Sequence, residues 1–257
     1  MSRIDEYLKH KDDDRKIRLP NYYYVTDLTK PCIRQAYYDI VEDRTFPIET
    51  LRIFEAGNIL EDYWVTILEK TQGISVLNIQ TPAYYIDDDI IIHGRVDALT
   101  QHDDNRIVAH EIKTASSCHW MKKPKPEHVQ QLQFYLYCLN IEDGVIDYLD
   151  KGAFLKGKTI IDLSFPVKKD KEVAEQMIKH ALTLKNYVDN KTTPMGNSEA
   201  WNGRICDYCL YNDLCDTLPR TNICEHCGNE KDTKIEDGVG RGFTMVCSKC
   251  IKFTVGG

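Results

Sequence analysis

The hydrophobic pattern changes period abruptly near residue 75, and that change limits the folds open to this chain. Upstream, ETLRIFEAGNILEDYWVTILEKTQG (49–73) reads as an amphipathic helix. Ile53, Leu60, Trp64, Ile67 and Leu68 fall near one face, and Gly73 ends it. Downstream come SVLNIQ, AYYIDDDIIIHGRVDALT and NRIVAHEIKT. These are rich in β-branched and aromatic residues, with DDD and HDDN supplying turns. A second long helix is expected over PEHVQQLQFYLYCLNI, two more strands over VIDYLDK and KTIIDLSFPV, and a third helix over 168–190. An earlier helix in NYYYVTDLTKPCIRQAYYDI takes Thr26 or Asp27 as its cap, with Pro31 in the first turn. What precedes it reads as a polar arm. The order is helices, strand run, helix, strands, helix. It predicts an α/β (α+β) core with a mixed central sheet flanked by helices, not an alternating doubly wound one.

Composition narrows the setting. At 257 residues and 42% hydrophobic, the chain suits one large domain, or one domain with a small appendage. It has no run of 18 apolar residues, so no membrane span is expected. The N-terminus MSRIDEYLKHKDDDRK lacks an apolar secretory core, which points to the cytoplasm. In a reducing compartment, ten cysteines set largely in C-x-x-C pairs read as metal ligands rather than disulfides. A net charge of −7 counts mildly against a nucleic-acid partner, although a basic groove can coexist with an acidic total. KHKDDDRKIR and MKKPKPEH are local basic clusters, and each by itself is usually a solvated face.

The segment HGRVDALTQHDDNRIVAHEIKTAS carries the chemistry. Asp97 sits near the end of one expected strand, and Glu111 and Lys113 sit two apart in the next, on one face. Two carboxylates and an ammonium group can therefore converge. Hard oxygen ligands suit Mg²⁺ or Mn²⁺, and such a cation polarises a phosphoryl oxygen and activates water. The lysine can orient that water or neutralise charge building on phosphate. Charges on a strand pair are more often a solvated face, so the motif alone is weak. Glu61, four residues after Gly57 on the first long helix, is a third candidate ligand. His128, Gln131 and Tyr135 share one face of the second helix.

Gly57–Glu61, Gly94–Asp97, Glu111–Lys113 and Gln131–Tyr135 follow, in order, the motifs of the PD-(D/E)XK nuclease superfamily in its RecB-like branch. The resemblance implies a metal at Asp97, Glu111 and the Ile112 carbonyl. It also implies Lys113 at the attacking water, with Gln131 and Tyr135 supporting site and DNA. Glu61 stands where many relatives have histidine, so metal preference is open to change.

The cysteines form two groups. Cys224, Cys227, Cys247 and Cys250 give C-x2-C-x19-C-x2-C, close to zinc-ribbon spacing, and four thiolates close a structural Zn²⁺ site. Cys206, Cys209 and Cys215 number one short of the four ligands a cluster needs, and Cys32, far upstream in KPCIRQAYY, is the candidate for the fourth. One early cysteine plus C-x2-C-x5-C resembles the iron–sulfur RecB-like exonucleases, including the CRISPR-associated family of the fourth Cas protein. That resemblance spans about residues 20–217 and implies a 4Fe–4S cluster on these four cysteines. Two zinc sites are the alternative, since zinc and iron–sulfur share soft ligands. Cys138 reads as a core residue, and Cys118 has no assigned role.

The expected organisation is a nuclease domain over 1–219 with the cluster, and a zinc ribbon over 220–257. The expected activity is metal-dependent exonuclease action on DNA. By resemblance the substrate is single-stranded, and the setting is trimming before CRISPR spacers are integrated, a step in antiviral defense. A viral or repair exonuclease outside CRISPR, or a non-cleaving nucleic-acid-binding module, are the other readings. DNA or a protein partner is expected at the ribbon, and no membrane.

Overall fold

Where the sequence alternates with period two, strands form and bury alternate side chains. The computed structural model describes residues 2–13, 19–42, 45–156, 162–197, 206, 209–215, 220–221, 233–236 and 243–246. In chain order these contain α1 (Arg3–Asp13), β1 (Tyr22–Tyr24), α2 (Val25–Leu28), α3 (Ile33–Val41), α4 (Ile48–Lys70), β2 (Ile74–Ile86), β3 (Ile91–His102), β4 (Ile107–Ala115), α5 (Pro126–Leu139), β5 (Asp143–Asp150), α6 (Lys151–Leu155), β6 (Asp162–Lys168), α7 (Lys171–Asp189), β7 (Gly196–Asn197), α8 (Asn212–Cys215), β8 (Arg220–Thr221), β9 (Thr233–Glu236) and β10 (Phe243–Val246). They divide into two units. One comprises Met1–Pro20, Thr45–Tyr85 and His93–Ala174; the other comprises Asn21–Arg44, Ile86–Ile92 and Glu175–Gly257.

The first unit holds the mixed sheet that the element order predicts. β3 and β4 are antiparallel, β4 and β5 parallel, β5 and β6 antiparallel, and β2 pairs with β3. A parallel neighbour needs a crossover, and α5 supplies it between β4 and β5. Helices cover both faces. Trp64 and Leu68 of α4 pack with Ala98, Ile112 and Leu149 on one face. On the other, Leu132 of α5 lies directly over Gly144, where an added Cβ would stand 2.9 Å from its Cδ2. Gly144→Ala is therefore expected to lower unfolding free energy by about 1–3 kcal/mol through overpacking, read from urea melts. An unchanged midpoint would show that α5 shifts freely over β5.

Three elements differ from the sequence expectation. The polar arm is a helix, α1, with Leu8 buried and its charges committed to α4. Arg52 donates to Asp5 at 2.7 Å and Lys11 to Glu55 at 2.7 Å. Thr26 and Asp27 do not cap one helix running through Pro31. The Asp27 carboxylate instead accepts the Tyr24 N–H at 2.9 Å, closing the single turn of α2. Pro31 disfavours helix in the residue before it, so α3 starts afresh after Cys32. SVLNIQ and AYYI are one strand, β2, interrupted at Gln80, whose φ of 51° lies in the left-handed region.

In the second unit, Ile91 donates to the Asn21 carbonyl at 2.9 Å and ties β1 to the start of β3. The buried Arg34 of α3 donates to the Pro194 carbonyl at 2.7 Å. β9 and β10 form an antiparallel hairpin. Among the described residues no helix is long and apolar enough to cross a membrane.

Candidate active site

Register brings the acidic residues together. Ala98 faces His110 across the β3–β4 ladder, so Asp97 and Glu111, one step on, stand opposite each other on one face. The ladder stops there. The Ile112 N–H, directed at β3, donates to Asp97 Oδ2 at 2.7 Å instead of continuing it. Lys113 shares this face two residues along and pairs in register with Tyr148 of β5. Where the ladder opens, Glu61 reaches Asp97 from α4 and shares a hydrogen bond with it. The Gln80 amide of β2 donates to Glu61.

The electrostatics are those of a crowded acidic site. Glu111 is fully buried; Oε1 is ion-paired with Lys113, and Oε2 has no hydrogen-bond partner among the described residues. Burial pushes Glu111 up to about 8, with Asp97 and Glu61 adding to the rise and Lys113 opposing it. Burial, then the Asp97 charge, pushes Glu61 up to about 7. Asp97 is also raised, first by burial. Burial alone would depress Lys113, but Glu111, Asp97 and Glu61 hold it above its ordinary value. Three carboxylates outweigh that single ammonium, and protons fill the deficit.

Carboxylate oxygens crowded in this way are the hard donors that a divalent cation takes. Among the described residues no group of three or more His, Cys, Asp or Glu side chains is arranged to hold a metal ion. Asp97, Glu111 and the Ile112 carbonyl are a smaller set of hard oxygens. The unpartnered, buried Oε2 of Glu111 is what such a set would present to Mg²⁺ or Mn²⁺.

The α5 face carries a second polar row, and it is buried. Gln131 Nε2 donates to the Tyr135 hydroxyl at 2.9 Å, and that hydroxyl also bonds the Arg95 backbone. Burial, with Glu111 and Asp97 adding, holds the Tyr135 hydroxyl well above its ordinary value, so it stays a proton donor. Tyr148 OH accepts the Lys125 N–H at 2.9 Å and lies 2.7 Å from His128 Nδ1. Burial, then Lys113 and Lys125, pull His128 down to about 2, so its ring is neutral.

The four upstream cysteines gather in the second unit. Cys32 precedes the first turn of α3, while Cys206, Cys209 and Cys215 follow one another through tight turns. Cys209 N–H donates to the Cys206 carbonyl at 3.1 Å, and Cys215 N–H to that of Tyr211 at 3.2 Å. Tyr211 is buried against Tyr38 of α3, ring centroids 5.3 Å apart. None of the four is in a disulfide. Burial raises the Cys209 thiol, and Cys215, Cys32 and Cys206 each raise it further. Four cysteine sulfurs at close quarters suit a soft metal centre. Cys224, Cys227, Cys247 and Cys250 lie outside the described residues.

The profile of the PD-(D/E)XK nuclease superfamily matches residues 28–216, most of the chain. The chain belongs to the PD-(D/E)XK nuclease superfamily. The CRISPR-associated exonuclease Cas4 of Saccharolobus solfataricus is 23% identical over 224 residues, covering 83% of this chain and 93% of that protein. The crystal structure of SSO0001 aligns with a TM-score of 0.59 at 22% identity, covering 84% of this chain and 98% of that one. An alkaline exonuclease from Laribacter hongkongensis aligns with a TM-score of 0.47 at 11% identity, covering 72% and 93%.

In this PD-(D/E)XK nuclease, every non-cysteine site residue expected from the motifs lies in the first unit. Asp97, Glu111, Lys113 and Glu61 come together, and Gln131 and Tyr135 join them through the Arg95 backbone and the field of Glu111. Two residues escaped the motifs. Gln80 holds Glu61, and nothing in a strand pattern signals its positive φ. Arg95 was legible, because it lies two residues from Asp97 and so on the same strand face.

Proposed function

We propose that this nuclease is a metal-dependent DNA exonuclease acting on single-stranded ends. The observation that carries the reading is the buried Glu111 carboxylate, its Oε2 unpartnered, opposite Asp97 and beside a protonated Lys113. Asp97, Glu111 and the Ile112 carbonyl would hold Mg²⁺ or Mn²⁺, with Glu61 at its edge. When bound, the cation supplies Lewis acidity at the phosphoryl oxygen and at water. Lys113 orients the attacking water and offsets charge on the phosphate. Tyr135, held by Gln131, donates its proton toward the same point.

Cys32, Cys206, Cys209 and Cys215 would hold a 4Fe–4S cluster in the second unit, and residues 220–257 would form a zinc ribbon that binds DNA or a protein. The β9–β10 hairpin, lying between the two cysteine pairs, supports the ribbon reading. The likeness to Cas4 supports a place in trimming DNA before CRISPR spacer integration. The test is cleavage of end-labelled single-stranded DNA in Mn²⁺ by anaerobically purified protein beside Asp97→Ala. Cleavage by the parent is expected, with a loss of about 10³-fold or more in the variant. DNA binding without turnover by the parent would favour a binding module instead.

A further inference from the structure

Asp97 is the inner end of a row on β3. Residues two apart on a strand share a face in steps of about 6.7 Å. Arg95 and His93 therefore stand one and two steps outward from Asp97, on the same face. Arg95 is exposed, and among the described residues it makes no ion pair or side-chain hydrogen bond. Its charge nevertheless acts on both Glu61 and Asp97. It is a cation beside an acidic site that no carboxylate has captured. His93 lies flat against Tyr84 of β2, ring centroids 4.6 Å apart and planes 16° from parallel. Tyr84 is 47% exposed, so the stack offers aromatic surface to solvent.

Each feature has an ordinary explanation alone: a solvated arginine, and a cross-strand ring pair that stiffens a hairpin. Their alignment is what those explanations leave out. From Asp97 outward the order is carboxylate site, free guanidinium, exposed ring. A single strand needs a cation at its backbone and a π-face for a base, in that alternation.

We propose that Arg95, His93 and Tyr84 form the track along which a single-stranded nucleic acid enters the site. Arg95 binds the phosphate next to the scissile one, and Tyr84, backed by His93, stacks a base. The assignment rests on the nuclease reading above and names its substrate contacts. It also fits a chain with net charge −7, because the positive charge is needed only along one strand face.

The test is fluorescence anisotropy with a labelled oligothymidylate in Ca²⁺, across a salt series, with cleavage in Mn²⁺ measured in parallel. Arg95→Ala should weaken binding about tenfold and flatten the slope of log Kd against log salt by about 0.7, the value for one lost phosphate contact on a single strand. Arg95→Lys should restore the slope. Tyr84→Ala should weaken binding by roughly tenfold with the salt slope unchanged, because stacking releases no counterions. Tyr84→Phe should bind like the parent. In cleavage the losses should fall mainly on KM. If both alanine variants bind with the parental Kd and slope while the parent cleaves, the track is wrong and the nuclease reading stands. A parent that binds and does not cleave overturns the nuclease reading while the variants still decide the track. A parent that does not bind overturns both.

Discussion

Lys113→Ala is expected to cut DNA about 10³-fold more slowly than the parent at saturating Mn²⁺, a loss of about 4 kcal/mol of transition-state stabilisation. The protonation state sets the mechanism. Burial favours a neutral amine, but Glu111, Asp97 and Glu61 overrule it, so Lys113 is an ammonium group at any working pH. It cannot take a proton from water. It can hold that water by hydrogen bond and offset charge as the phosphate becomes pentacovalent. The same variant should still fold. Burial pushes Glu111 up to about 8 even against the pull of Lys113, so it takes a proton when the lysine is gone. A neutral buried carboxyl costs far less than an unpaired carboxylate. Single-turnover cleavage and circular dichroism on the same sample check both halves. Parental rates in a folded Lys113→Ala protein would remove lysine from the chemistry.

The site was legible to the extent that it depends on strand period. Asp97, Glu111 and Lys113 converge because alternation fixes their face and a short turn fixes their register. Arg95 and His93 obey the same alternation but match no motif. Contacts distant in sequence were not legible. A polar helix face is usually solvated, but the polar side of α5 is inside. Gln131 and Tyr135 are buried there, and on the opposite side Gln133 donates to the Lys168 carbonyl at 2.8 Å and accepts the Asp170 N–H at 2.7 Å. Both partners of Gln133 lie at or past the end of β6, some 35 residues on. The α1 helix is illegible for a like reason: among its described residues Leu8 is the one buried apolar side chain, and the polar ties include the ion pairs to α4 and the Phe46 N–H donated to buried Asp12. The break between α2 and α3 turns on the Asp27 carboxylate reaching back three residues, which competes with the cap the sequence suggested.

Cys209→Ser should abolish the visible absorbance and the iron and sulfide content of anaerobically purified protein, and should destabilise the second unit by more than about 4 kcal/mol. The reason lies in the thiols themselves. Cys209 is raised by burial and then by each of its three neighbours, so its thiolate form needs positive charge nearby. A bound centre would supply that charge and would crosslink the start of α3 to the turns ending in α8. The Tyr38–Tyr211 contact already joins these segments but is only a ring pair, worth about 1 kcal/mol beyond its buried area. Serine keeps the volume of the side chain and loses the soft ligand. Zinc content separates the two cysteine groups. It should persist in Cys209→Ser and fall in Cys224→Ser, whose iron should be unchanged. A parent that carries zinc in both places and no iron would replace the cluster with a second zinc site. The clamp on α3 would then remain, while any redox role for these four cysteines would go, because zinc does not change oxidation state.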